Sequence, residues 1–158
     1  MADTLQHALS RRERQIMNLL SPLNLFSVSL SIPGEVLVGP AGCRVSAAEA
    51  GPGGIPVEAG ATTGNGAVAC VRRDRIDESL VVRNRRPGDR FRPIGLNGSK
   101  KLQDLFVDRK LARDERDRVP VVVDKSDRIV WVAGYGIDEA FRVTDSSQAV
   151  LVLRLTRS

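Results

Sequence analysis

Five arginines fall within ten residues, at Arg83, Arg85, Arg86, Arg90 and Arg92, and Ser99, Lys100 and Lys101 follow shortly after. A guanidinium presents a planar fork of donors that meets two phosphate oxygens at once, and an ammonium adds a compact charge. These residue types at this density support the holding of phosphate rather than the making or breaking of bonds. Arg85-Arg86-Pro87-Gly88-Asp89-Arg90 is turn chemistry, with proline presetting its backbone angle and glycine admitting a positive one. Ser99 stands where a helix N-cap is expected, ahead of Leu102, Leu105 and Phe106 at helical spacing. Lys100 and Lys101 then fall in the first helical turn, where the helix end is already partly positive. A bound anion resolves that conflict, because amides, a hydroxyl and two ammonium groups would converge on it. The alternative, that both lysines point to water, stays open.

Catalytic arrangements are poorly supported. His7 is the only histidine, which leaves histidine triads and metal clusters little to use. Asp104 and Asp108 lie one turn apart, a spacing that suits acid–base work, but Arg109, Lys110 and the preceding lysines favour ion pairing. Asp138-Glu139 reads as a solvated turn or as a partner for Arg142. Gly51-Pro52-Gly53-Gly54 lacks the lysine and hydroxyl residue of a phosphate loop. Cys43 and Cys70 are far apart without metal-ligand spacing, and read as small buried residues of a reducing compartment. No catalytic residue and no metal ligand is assigned.

The charge is concentrated. The chain of 158 residues carries a formal net charge of +5. From Arg83 to Arg118 there are 12 basic and 6 acidic residues, against 12 and 13 in the remainder, so the whole positive excess lies in one window. That distribution is an electrostatic footprint for a polyanion. Arginine outnumbers lysine 20 to 4, which also fits a solvated surface with biased codon usage. Arg113 to Arg118 alternates in sign, a pattern that often pairs with itself. No apolar run approaches the roughly 20 residues of a membrane helix, and no signal peptide is evident. A cytoplasmic protein with no membrane partner is expected.

The elements that must position these residues follow from periodicity. Residues 3 to 20 repeat at helical spacing through Leu5, Leu9, Ile16 and Leu20. From Phe26 to Leu30 the pattern changes to strand alternation. Further strands are predicted over 35–38, 43–47, 66–72, from Leu80, over 121–123 and 129–133, and over 149–155. Gly51 to Asn65 reads as a surface loop, Asp124 to Asp127 as a hairpin turn, and Gly134-Tyr135-Gly136 as a bend. The expected fold is α+β, mostly antiparallel strands, with an N-terminal helix and one or two short helices after Ser99. The domain division is 1–24, a helical segment left from a preceding domain, and 25–158, the strand-rich domain.

Val82-Arg83-Asn84-Arg85-Arg86-Pro87-Gly88-Asp89-Arg90-Phe91-Arg92-Pro93-Ile94-Gly95 resembles a segment of the C-terminal domain of tRNA(Ile)-lysidine synthetase. The resemblance continues through Gly98 to Leu102, Asp104 to Phe106, Arg116 to Pro120, Ile129 to Gly134 and Ile137 to Glu139, with Leu30 to Gly34 upstream, and covers residues 25 to 158. It implies a β-sandwich-containing fold and an ATP-dependent ligase parent that converts a wobble cytidine of isoleucine tRNA to lysidine. The ATP, the magnesium and the chemistry belong to a pyrophosphatase-type N-terminal domain whose loop this sequence does not contain, so no cofactor is expected in this chain. The implied partner is isoleucine tRNA, held on its acceptor-stem side by Arg83, Arg85, Arg86, Arg90, Arg92, Ser99, Lys100 and Lys101. A separate catalytic domain or chain and a homodimer stay open as partners. The alternative is a stand-alone RNA-binding or protein-docking module.

Overall fold

Strand alternation and continuous apolar runs divide this chain's strands into two kinds, and the difference decides how its layers stack. The computed structural model describes residues 25–157, Glu78 excepted; the helix expected over 3–20 and the division at residue 24 lie outside the described residues. One antiparallel sheet is ordered β1 (Ser27–Leu30), β5 (Leu80–Arg83), β8 (Val121–Val123), β9 (Ile129–Val132), β10 (Gly136–Ile137). A second, also antiparallel, is ordered β2 (Gly34–Val38), β3 (Cys43–Ala50), β11 (Val150–Arg157), β4 (Val68–Arg72). A short ribbon pairs β6 (Arg90–Phe91) with β7 (Lys100–Lys101). Two short helices follow, α1 (Leu102–Asp108) and α2 (Arg113–Arg116). The architecture is the antiparallel, strand-dominated α+β fold expected, with the two sheets packed as a sandwich.

The sandwich core joins Leu30, Leu80, Val82 and Val122 of the first sheet to Val38, Val45, Val71, Leu151 and Leu153 of the second. The first sheet also buries its other face. Val121, Val123, Ile129 and Val132 pack there against Phe91 and against Leu102, Leu105 and Phe106 of α1. A strand covered on both sides needs apolar residues at every position, which is why Val121–Val123 and Ile129–Val132 show no alternation. Val130 is an extra residue between the pairs Val123↔Ile129 and Val122↔Trp131. This bulge turns both Val130 and Trp131 into the sandwich core.

The segment expected as a surface excursion over Gly51–Asn65 is a loop, but it is packed. Ala61 is buried with Val68, Cys70, Val150 and Val152 on the outer face of the second sheet. Its backbone is tied in three places. Ala61 accepts from the Cys70 amide (2.7 Å) and Thr63 from the Ile137 amide (3.1 Å), and the fully buried Trp131 donates its Nε1–H to the Gly64 carbonyl (2.8 Å). Small residues permit this closeness. Gly64 has φ +73°, and a Cβ there would lie 2.7 Å from Ile137 Cγ2 and 2.9 Å from Trp131 Cδ1.

Two outcomes are expected. Gly64→Ala combines a left-handed backbone with overpacking and lowers stability by about 2–4 kcal/mol; an unchanged urea midpoint would show that the loop is not anchored on Trp131. Cys43 and Cys70 are free and buried. Burial pushes the Cys70 thiol up to about 11 and raises that of Cys43, so both stay protonated at pH 8. A colorimetric disulfide reagent should leave the folded protein unlabelled at that pH and label both thiols in guanidinium.

Candidate nucleic-acid interface

The basic segment is organised from beneath by one of its own arginines. Arg83, on β5, is 1% exposed. Its Nη1 and Nη2 donate to the two oxygens of Asp89 at 2.9 and 3.0 Å, Nη1 also donates to the Asn84 carbonyl (3.0 Å), and Nε reaches Asp127 at 3.3 Å. Burial works against the Arg83 charge, but the hydrogen bonds and charge of Asp89, helped by Asp127, outweigh it and hold its pKa above the ordinary arginine value. Asp127 reaches Arg83 from the β8–β9 turn, where it has φ +63°.

The same carboxylate closes the turn. Asp89 Oδ2 accepts from the Arg86 amide (2.7 Å), and the Asp89 amide donates back to the Arg86 carbonyl (3.1 Å). Pro87 and Gly88 occupy the central positions, with Gly88 at φ +87°, as a type II turn requires. Asn84 is buried and exchanges hydrogen bonds with the backbone of Phe26. With both ends of the turn tied inward, Arg85 and Arg86 project from it. Arg85 pairs with Asp117 at 2.9 Å, both about one quarter exposed, and Arg86 is exposed with Asp127 at 3.6 Å.

The lysines are not in a helix. Lys100 and Lys101 form β7, and α1 starts at Leu102 with Lys101 as its N-cap and no side-chain cap. Ser99 caps nothing; its hydroxyl accepts from Arg90 Nε and Nη2 at 3.1 and 3.0 Å. The helix-end anion site expected from Ser99, Lys100 and Lys101 therefore does not form. The cause is Phe91: burying it under α1 draws residues 100–101 into pairing with Arg90–Phe91, and the Leu102 amide is taken by the Asp89 carbonyl (3.0 Å). Lys100 turns to Asp108 as an ion pair. Lys101 is exposed and has no side-chain partner among the described residues. It stands directly opposite Arg90 on the ribbon, so two cations share one face, an arrangement that is unfavourable unless an anion joins them.

Of the other predicted residues, Arg92 is exposed and lies 3.8 Å from Asp138, whose side chain is 13% exposed. Asp138 is not a solvated turn residue. It accepts from the Arg92 amide (2.9 Å) and the Ala140 amide (2.8 Å), while Glu139 pairs with Arg142. The structure thus brings Arg85, Arg86, Arg90, Arg92 and Lys101 to the surface around one turn and ribbon, and withdraws Arg83 into the interior. Arg113 and Arg116 join this group although their sign-alternating context suggested self-pairing. Arg118 does pair with Asp114. Arg113 and Arg116 instead line, with Arg85, Arg86 and Lys101, a cavity of about 510 Å³ between the turn, the start of α1, and α2. Only the window's net charge hinted at their involvement.

Three comparisons bear on this surface. Residues 80–155 match the family model described as the TilS substrate C-terminal domain. The chain is 37% identical over 128 residues to a tRNA(Ile)-lysidine synthase of Symbiobacterium thermophilum, covering 81% of this chain and 25% of that one. It is 44% identical over 84 residues to the corresponding enzyme of Caldanaerobacter subterraneus, covering 53% and 18%. The chain thus spans a quarter or less of these relatives. A crystal structure of a TilS C-terminal domain superimposes with a TM-score of 0.72 at 28% identity, covering 85% of this chain and 98% of that one.

The buried lock makes a definite prediction. Asp89→Ala strands the Arg83 charge and costs about 3–5 kcal/mol, whereas the apolar pair Arg83→Met with Asp89→Leu costs much less, because the desolvated charge goes with its partner. Urea midpoints of Arg83→Met alone, Asp89→Leu alone and the two combined check this; additive losses would show that the pair is not coupled.

Proposed function

The chain carries the C-terminal substrate domain of the tRNA(Ile)-lysidine synthases, and from that premise we propose that it is a module that holds tRNA and leaves chemistry to a separate catalytic domain or chain. The observation that carries this reading is the rigid turn and ribbon presenting Arg85, Arg86, Arg90, Arg92 and Lys101 together. The surface supplies charge and a fixed geometry, which are what phosphate contacts need; such contacts set position rather than sequence preference. An RNA stem is met mainly through its shape, its backbone and its 2′-hydroxyls.

Within this reading the residues divide. Arg90 and Lys101 are a paired phosphate contact on one ribbon face. Arg86 and Arg92 flank them. Arg85 reaches RNA while its charge is shared with Asp117, and Lys100 is occupied by Asp108. Arg83 is the residue that positions the turn. Isoleucine tRNA is the substrate suggested by the relatives' name, and the acceptor-stem side is the part of it that the family resemblance favours.

The test is tRNA binding across a salt series. Each phosphate neutralised contributes roughly −0.7 to −0.9 to the slope of log affinity against log salt, so four to five contacts give a slope of about −3 to −4.5. Lys101→Ala should weaken all tRNAs alike and make the slope shallower by about 1, while Lys100→Ala should change it little. Binding that is absent, or flat with salt, refutes the reading.

A further inference from the structure

The cavity beside the turn is more specific than a basic patch. Its lining includes Arg85, Arg86, Lys101, Arg113 and Arg116 with the acids Asp89 and Asp117. Neither acid balances the other cations, because Asp89 is held from beneath by Arg83 and Asp117 is held by Arg85. Lys101 and Arg113 have no partner among the described residues. Arg116 commits its Nε to the Leu111 carbonyl at 2.8 Å. Like charges crowded into a concave site focus a positive potential that an anion relieves.

The remaining walls are of a different kind. Leu25 is half exposed, at 50%, and of the exposed large apolar residues it is the one that lines this cavity. Pro87 and the buried Leu102 continue the apolar wall, and Gln103 adds an exposed amide. A volume of about 510 Å³ falls in the range of about 300–1,000 Å³ typical of sites that enclose a small molecule. A duplex cannot enter such a space, because its phosphates run along the outside of a cylinder. An unpaired nucleotide can, since its base is able to turn out and lie on a flat apolar surface.

We infer that this cavity takes one unpaired nucleotide of RNA, its phosphate on Arg113 and Arg116, with Lys101 at the rim between it and the stem, and its base against Leu25 and Pro87, with Gln103 at the base edge. The inference rests on the RNA-binding reading and refines it: stem phosphates meet the Arg90–Lys101 face, and a single-stranded nucleotide enters beside it.

The experiment compares one hairpin RNA in four forms: blunt, with a four-nucleotide single-stranded extension, with the same extension made abasic, and with those nucleotides placed as a bulge. The abasic form carries the same charge, so it isolates the base. The base-bearing extension or bulge should bind about five- to tenfold tighter than the abasic form, and which of the two does so tells a strand end from an extruded internal nucleotide. Leu25→Ala should narrow that gap, and Arg113→Ala should weaken the extended RNAs more than the blunt one, with unchanged thermal melts confirming folding. Equal affinity for base-bearing and abasic forms, with the blunt stem still bound, overturns the cavity assignment and leaves the tRNA reading standing. Failure of every form to bind removes both.

Discussion

The contact between Arg83 and Asp89 joins two requirements that normally oppose each other. A basic surface needs its cations exposed and spaced, while a loop that carries them needs something to hold its shape. A buried guanidinium bonded to both oxygens of a carboxylate six residues later meets the second requirement, and that carboxylate also takes the Arg86 amide. Asp127, reaching in from the β8–β9 turn, ties the loop to a neighbouring hairpin. A lysine at position 83 would keep the charge but lose the fork, so the charge and the geometry are separable properties of this site.

The layering supports the same purpose. The first sheet is buried on both faces, by the second sheet on one side and by α1 and Phe91 on the other. The basic ribbon therefore rests on a strand pair that is itself held from below. A tie between layers runs through Trp131, whose indole reaches the loop covering the outer face of the second sheet. The basic surface sits on three stacked layers instead of hanging from one edge.

Much of this was legible in the residues. Alternation marked β1 and β11, and the apolar runs marked β8 and β9 with nearly their observed bounds. The Arg85–Arg90 turn was readable because proline and glycine announce it. Two things were not. Ser99-Lys100-Lys101 looks like a helix start because local spacing cannot see that Phe91, nine residues away, recruits those lysines into a ribbon. Arg83 looks like its neighbours because sequence carries no sign of which cation in a cluster turns inward, and in a sheet buried on both faces alternation does not mark the inward positions. Arg113 and Arg116 were obscured by the acids between them, whose placement depends on a four-residue helix.

The facing cations of Arg90 and Lys101 have a consequence for how the protein responds to its solvent. In the unbound molecule they repel across the ribbon, and dissolved ions screen that repulsion. Added salt therefore eases the local fold while it competes with any polyanion for the same charges. The two effects of ionic strength have opposite sign: the conditions in which this surface is most comfortable alone are those in which it is least able to grip, and the tension between the two cations is part of what makes an anion welcome.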